Sequence, residues 1–168
     1  MTTEATETTK TRGAEIVTTT MRVLKRDTCP SSSGKSELSY QIGCNEKEEL
    51  YFMVYKNSGK GFFNSGWQSL KSIMALLEET AYPITGATLL PLYNRLSINT
   101  SYFLIVCLLN EGIVERWKRI YKLNDIKPFM AKMKVLIDAK GDVKAVTPKK
   151  KSTPKKKKTP TAPASTPL

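Results

Sequence analysis

Apolar residues recur along this chain at a spacing of two in some stretches and of three and four in others. Leu38-Ser39-Tyr40-Gln41-Ile42 alternates apolar with polar, as does Leu50 to Tyr55, and the polar run Asn45-Glu46-Lys47-Glu48 separates them. That arrangement predicts a β-hairpin with a moderately long loop. Leu70, Ile73, Met74 and Leu77 then fall on one helical face, predicting an amphipathic helix over residues 67–80 that stops before Pro83. Thr85 is the expected N-cap of a second helix through about Tyr93, with Leu89, Leu90 and Leu92 inward. Asn94 to Ile98 makes the turn. Asn99 caps a third helix, Thr100 to Asn110, whose apolar residues cover most of its circumference, and Gly112 supplies the left-handed residue beyond it. Ile113-Val114-Glu115-Arg116-Trp117-Lys118 reads as a strand, with Arg119 to Leu123 as its extension or return.

Outside these elements the pattern weakens. Residues 1–20 are rich in Thr and Glu with hardly any large apolar residue, so they read as a disordered leader. Met21 to Lys25 opens the ordered region, Cys29 to Gly34 reads as a loop, and Asn57-Ser58-Gly59-Lys60-Gly61 as a flexible turn. Residues 124–146 support two readings. Asp125, Pro128 and Gly141 mark a helix through residue 140, whereas Val135 to Asp138 and Val143 to Val146 around Ala139-Lys140-Gly141-Asp142 match a hairpin. The organisation expected is a leader over 1–20, a small α+β domain over 21–146 and a tail over 147–168.

The sequence of helix, short helix, turn, apolar helix, Gly and strand over residues 67–123 resembles a winged helix-turn-helix domain. The resemblance implies an α+β fold: a small β-hairpin plus a three-helix winged-helix-like domain with disordered N- and C-terminal tails. In that family the third helix enters the major groove by its exposed face. Residues 99–111 depart from the pattern, because they contain no Lys or Arg, so this helix is expected in the core. The glycine-rich tip usual between wing strands is also missing, since Arg119 leads directly into Ile120-Tyr121.

Charge changes the picture most. The chain carries +12, of which residues 147–168 hold seven lysines and no acid. These are Lys149, Lys150, Lys151, Lys155, Lys156, Lys157 and Lys158, of which Lys149, Lys150, Lys155 and Lys156 belong to two tandem Thr-Pro-Lys-Lys units and the others follow them directly. Such a segment cannot bury enough apolar surface to offset its ordering entropy. It can instead neutralise phosphates and release their condensed counterions. The units resemble the Ser/Thr-Pro-Lys-Lys repeats in linker-histone and histone-like tails, and that resemblance implies binding along DNA. The same letters also fit a solubilising tail or a nuclear-localisation signal. Residues 21–146 are mildly basic as well, which points to nucleic acid or an anionic surface.

Catalytic classes are largely excluded. Without a histidine, the commonest general base and the usual Ser and Cys triads are missing. Ser58-Gly59-Lys60-Gly61 lacks phosphate-loop spacing, and Glu46, Glu48 and Glu49 read as a solvated hairpin loop. Cys29, Cys44 and Cys107 form neither a disulfide framework nor a zinc constellation, and read as free thiols, with Cys107 buried and inert. No enzyme, cofactor or metal is expected. The N-terminus lacks a signal-peptide pattern, and the longest apolar run, Tyr102 to Leu109, is too short to cross a bilayer. Asn99-Thr100-Ser101 fits a glycosylation sequon, read as chance. An intracellular chain without membrane attachment is expected, in the cytoplasm or nucleoid of a bacterial or phage host, or in a eukaryotic nucleus.

One internal segment has the composition of a binding surface. Arg116, Trp117, Lys118, Arg119, Tyr121 and Lys122 interleave cations with rings, a combination that grips a phosphate backbone while stacking on bases or sugars. On a continuous strand Arg116, Lys118 and Ile120 would share one face, and Trp117, Arg119 and Tyr121 the other. Alternatively, the rings cover the core edge and the cations are merely solvated. A second cluster, Tyr55, Lys56, Lys60, Phe62, Phe63 and Trp67, reads mainly as core. The expected function is non-enzymatic nucleic-acid binding, to non-specific duplex DNA, through the tail lysines with Arg116, Lys118, Arg119 and Lys122. The alternative is a protein–protein adaptor or homodimer whose apolar helices bind a partner.

Overall fold

The computed structural model describes residues 20–60, 62–94, 97–141 and 143. The expected hairpin is present and larger than the alternation predicts. Strands β1 (Arg22–Pro30), β2 (Glu37–Cys44), β3 (Leu50–Asn57) and the short β4 (Gln68–Ser69) form one antiparallel sheet in the order β1-β2-β3-β4. Cys29 and Pro30, expected in a loop, end β1 opposite Leu38 and Glu37. Register shifts between Val23 and Lys25, and between Ser39 and Tyr40, mark bulges, which add local twist to the sheet. On β2 and β3 the alternating residues Leu38, Tyr40, Ile42, Leu50, Phe52 and Val54 are all buried.

Helix α1 (Leu70–Glu79) starts later than predicted, because Gln68 and Ser69 pair with β3. The Ser69 hydroxyl caps it, accepting from the Ser72 N–H at 3.0 Å. Leu70, Ile73 and Leu77 form its buried stripe. The second predicted helix is a 3-10 segment, Gly86–Tyr93, with Pro91 inside it. A proline there could not donate to an α-helical ladder, and its ring would clash with the carbonyl one turn back. Asn94, left-handed at φ 50°, ends the segment.

Helix α2 (Ile98–Asn110) begins after Ser97, so Asn99 lies inside it rather than capping it. Its run from Leu104 to Leu108 is buried throughout, as the absence of Lys and Arg predicts. Gly112 takes the left-handed conformation at φ 77°, and strands β5 (Val114–Trp117) and β6 (Ile120–Leu123) pair antiparallel beyond it. The ambiguous stretch is helix α3 (Lys127–Asp138); Ile126 takes the N-cap position, and Asp125, expected there, lies one residue earlier, its carboxylate accepting from the Lys127 N–H at 3.0 Å. Phe129, Met133 and Ile137, spaced four apart, face the core, and Phe129 stacks on Phe52 with ring centroids 5.9 Å apart. Val135, which suggested a strand, is exposed on this helix. The second arm of the alternative hairpin, residues 143–146, lies outside the described residues apart from Val143. That residue donates its N–H to the Val23 carbonyl at 3.0 Å. The result is an α+β body with a four-stranded sheet, a separate two-stranded hairpin and helices packed on the sheet's apolar face.

A charged cluster is held where α2 ends. Glu111, its side chain only 3% exposed, accepts from Lys25 Nζ at 2.6 Å and from the Tyr40 hydroxyl. Asn110 donates to the Tyr40 oxygen at 2.7 Å, and Lys25 also meets Asp27 at 2.9 Å. Burial and the neighbouring carboxylate both push the Tyr40 hydroxyl far above its usual range. For Lys25 burial opposes the charge, but the bonds to Glu111 and Asp27 outweigh it and raise its pKa. The three cysteines are buried free thiols, with the Cys29 and Cys107 sulfurs 3.9 Å apart, and burial pushes the Cys107 thiol up. Among the described residues no helix is long and apolar enough to span a membrane, and no cluster of metal-ligating side chains occurs.

Candidate nucleic-acid interface

The basic-aromatic segment folds into the β5–β6 hairpin, whose tip is Lys118-Arg119. Lys118 there takes a left-handed φ of 57° in place of the missing glycine. Arg119 to Leu123 is thus the return strand and not an extension, which changes the face assignment made for a continuous strand. Trp117 pairs with Ile120, and Glu115 with Lys122, so these four lie on one face. Arg116 pairs with Tyr121, on the face that also carries Val114 and Leu123. Val114 and Tyr121 are buried, so this second face is the one turned to the core.

On the outer face the cations gather around one ring. Lys118 Nζ lies 4.8 Å, and Lys122 Nζ 4.5 Å, from the centre of the Trp117 ring, within reach of cation–π attraction. Trp117 keeps 45% of its surface exposed. Arg116 stands apart from that ring. Its Nε donates to the Lys118 carbonyl at 3.3 Å, which braces the strained tip from the other side. Arg119 is exposed at the tip itself. Of the four hairpin cations expected to act together, Lys118 and Lys122 share the Trp117 ring, Arg119 is their neighbour in the turn, and Arg116 supports the turn.

A further member comes from a distant part of the chain. The Tyr121 N–H donates to the Ile84 carbonyl at 2.9 Å, so the segment before the 3-10 element runs along β6. It carries Tyr82, 52% exposed, to a ring-centroid distance of 6.3 Å from Trp117 with the planes tilted by 54°. Nothing local in the sequence ties Tyr82 to the hairpin. The available signal was an aromatic residue placed directly before Pro83.

No family model, curated protein or solved structure matches this chain. The surface must therefore be interpreted from its own chemistry. The exposed Trp117 ring and three neighbouring cations on the hairpin, with the Tyr82 ring beside them, can meet phosphates by charge and flat π-systems by stacking. The seven tail lysines, Lys149 to Lys151 and Lys155 to Lys158, lie outside the described residues. In the second aromatic cluster, Phe63 packs edge-on to Phe103 at 6.3 Å, while Phe62 is 92% exposed.

Proposed function

We propose that this chain is a non-enzymatic nucleic-acid-binding protein. In this reading the β5–β6 hairpin contacts the ligand and the lysine-rich tail supplies most of the electrostatic affinity. The observation that carries it is the exposed Trp117 ring flanked by the ammonium groups of Lys118 and Lys122. The order α1, 3-10 segment, α2, β5, β6 supports a winged-helix-like arrangement, with the wing as the contacting element because α2 is buried. Tail lysines meet phosphates, which carry no sequence information, so duplex DNA would be held without sequence preference.

Fluorescence anisotropy of the full chain on a labelled duplex, over roughly 50–300 mM salt, tests the reading directly. Steep weakening with salt is expected; no binding at the lowest salt would end it. Substituting Arg116, Lys118 and Arg119 together by Ala should weaken binding at every salt concentration and lower the salt slope by about two, from Lys118 and Arg119. An unchanged slope would move the domain's contact away from the hairpin.

A second reading, a protein-binding adaptor or homodimer, draws on a different surface. Phe62, Ile98 and Tyr102 are exposed at the start of α2, where Asn99 Nδ2 donates to the Phe62 carbonyl at 3.2 Å. A solution mass above that of the monomer, indifferent to salt, would favour it.

A further inference from the structure

We infer that the Tyr82–Trp117 pair is a stacking site for an unpaired nucleobase, so that the folded domain takes single strands while the tail takes any polyanion. This rests on the nucleic-acid reading above and specifies its ligand. A duplex offers an approaching hairpin phosphates, sugars and base edges, but its base faces are closed by stacking. Cations alone would serve such a surface. Here two large rings are left in water instead, 52% and 45% exposed, at the point where the cations converge.

The centroids are 6.3 Å apart with the planes tilted by 54°, so the two rings meet at an angle and not as a parallel stack. Both are held from behind: Trp117 by its strand pairing with Ile120, and Tyr82 by the bond from Tyr121 to the Ile84 carbonyl two residues along. Lys118 and Lys122 rest on the Trp117 ring through long flexible stems, so each can swing to a flanking phosphate as a base takes its place. The outer face also carries Glu115, opposite Lys122. A single strand brings one backbone and a free base face, which matches this arrangement.

The test uses the full chain at about 300 mM salt, where the tail's contribution is strongly reduced. The probes are an oligothymidylate of roughly twenty nucleotides and a duplex of equal length, which span more than one stacking site. Trp117→Ala and Tyr82→Ala are each expected to weaken single-strand binding by about 5- to 100-fold, with Trp117→Phe restoring most of the loss. Duplex binding should change by less than about twofold, since phosphate contacts remain. In a Trp67→Phe background, where Trp117 is the remaining indole, the single strand should quench its emission. Single-strand binding that ignores both Ala variants, or duplex binding that falls equally with them, would overturn the stacking site and leave the nucleic-acid reading standing. Absence of binding to either probe by the unaltered chain, at low salt as well as high, would overturn both.

Discussion

Replacing Glu111 by Ala is expected to cost about 3 kcal/mol of folding stability. The carboxylate is nearly closed to water and is the shared acceptor of Lys25 and Tyr40. Without it, the Tyr40 hydroxyl loses its acceptor in the core and Lys25 retains only Asp27. A glutamate at the end of α2 also opposes the helix dipole, so this position is favourable only because a cation on β1 faces it. Glu111→Gln, which keeps an acceptor oxygen, should cost less, and a cycle with Lys25→Met would isolate the pairwise energy. The pH dependence has a definite sign. Lys25 is raised in the folded state, so its contribution is complete below the ordinary lysine value of 10.5 and fades as pH rises through the folded value. Asp27 is lowered, chiefly by its bond to Lys25, so its contribution is complete above 3.8 and fades as pH falls below that. Urea unfolding at neutral pH and at about pH 11 should therefore show a smaller alkaline loss in Glu111→Ala than in the parent. Equal losses would show that the pair contributes nothing.

Deleting residues 147–168 should have the largest effect on binding. Each phosphate neutralised on a duplex contributes about 0.9 to the slope of log affinity against log salt. The deletion removes seven lysines from a chain whose net charge is +12. If all of them engage, the slope falls by about six, and affinity at low salt falls by several orders of magnitude. Partial engagement still flattens it by several. The hairpin cations would sustain the residual binding, at a much lower affinity. Anisotropy titrations of the full and shortened chains on one duplex measure the difference, and parallel salt slopes would reduce the tail to a solubilising role.

Much of the fold could be read in the sequence where local pattern and burial agree. The alternations at Leu38–Ile42 and Leu50–Tyr55 became β2 and β3, and the stripe Leu70, Ile73, Leu77 became α1. Strand β1 was harder, because Lys25-Arg26-Asp27-Thr28 is polar at successive positions. Its polarity is resolved only in three dimensions, where Lys25 finds Glu111 from the far end of α2. The α3 segment was ambiguous because Val135 and Ile137 favour a strand locally, while Phe129, Met133 and Ile137 bury together only on a helix. At the candidate interface the ingredients were visible but their grouping was not. A left-handed Lys118 made Arg119 to Leu123 the return strand and not an extension, placed Arg116 behind the tip, and left Trp117 to two lysines and a tyrosine from another segment.

The bond between Val143 and Val23 gives the body a simple topology. Among the described residues the path from Val23 to Val143 returns to its starting point, so it is nearly a closed ring. Joining the two ends there would close a gap of little entropic cost. Opening the ring at an exposed loop such as Ser32–Lys35 would then preserve every packed element in a circularly permuted chain. For the same reason the body can be carried as an insert in another protein's loop, held at a single point of attachment.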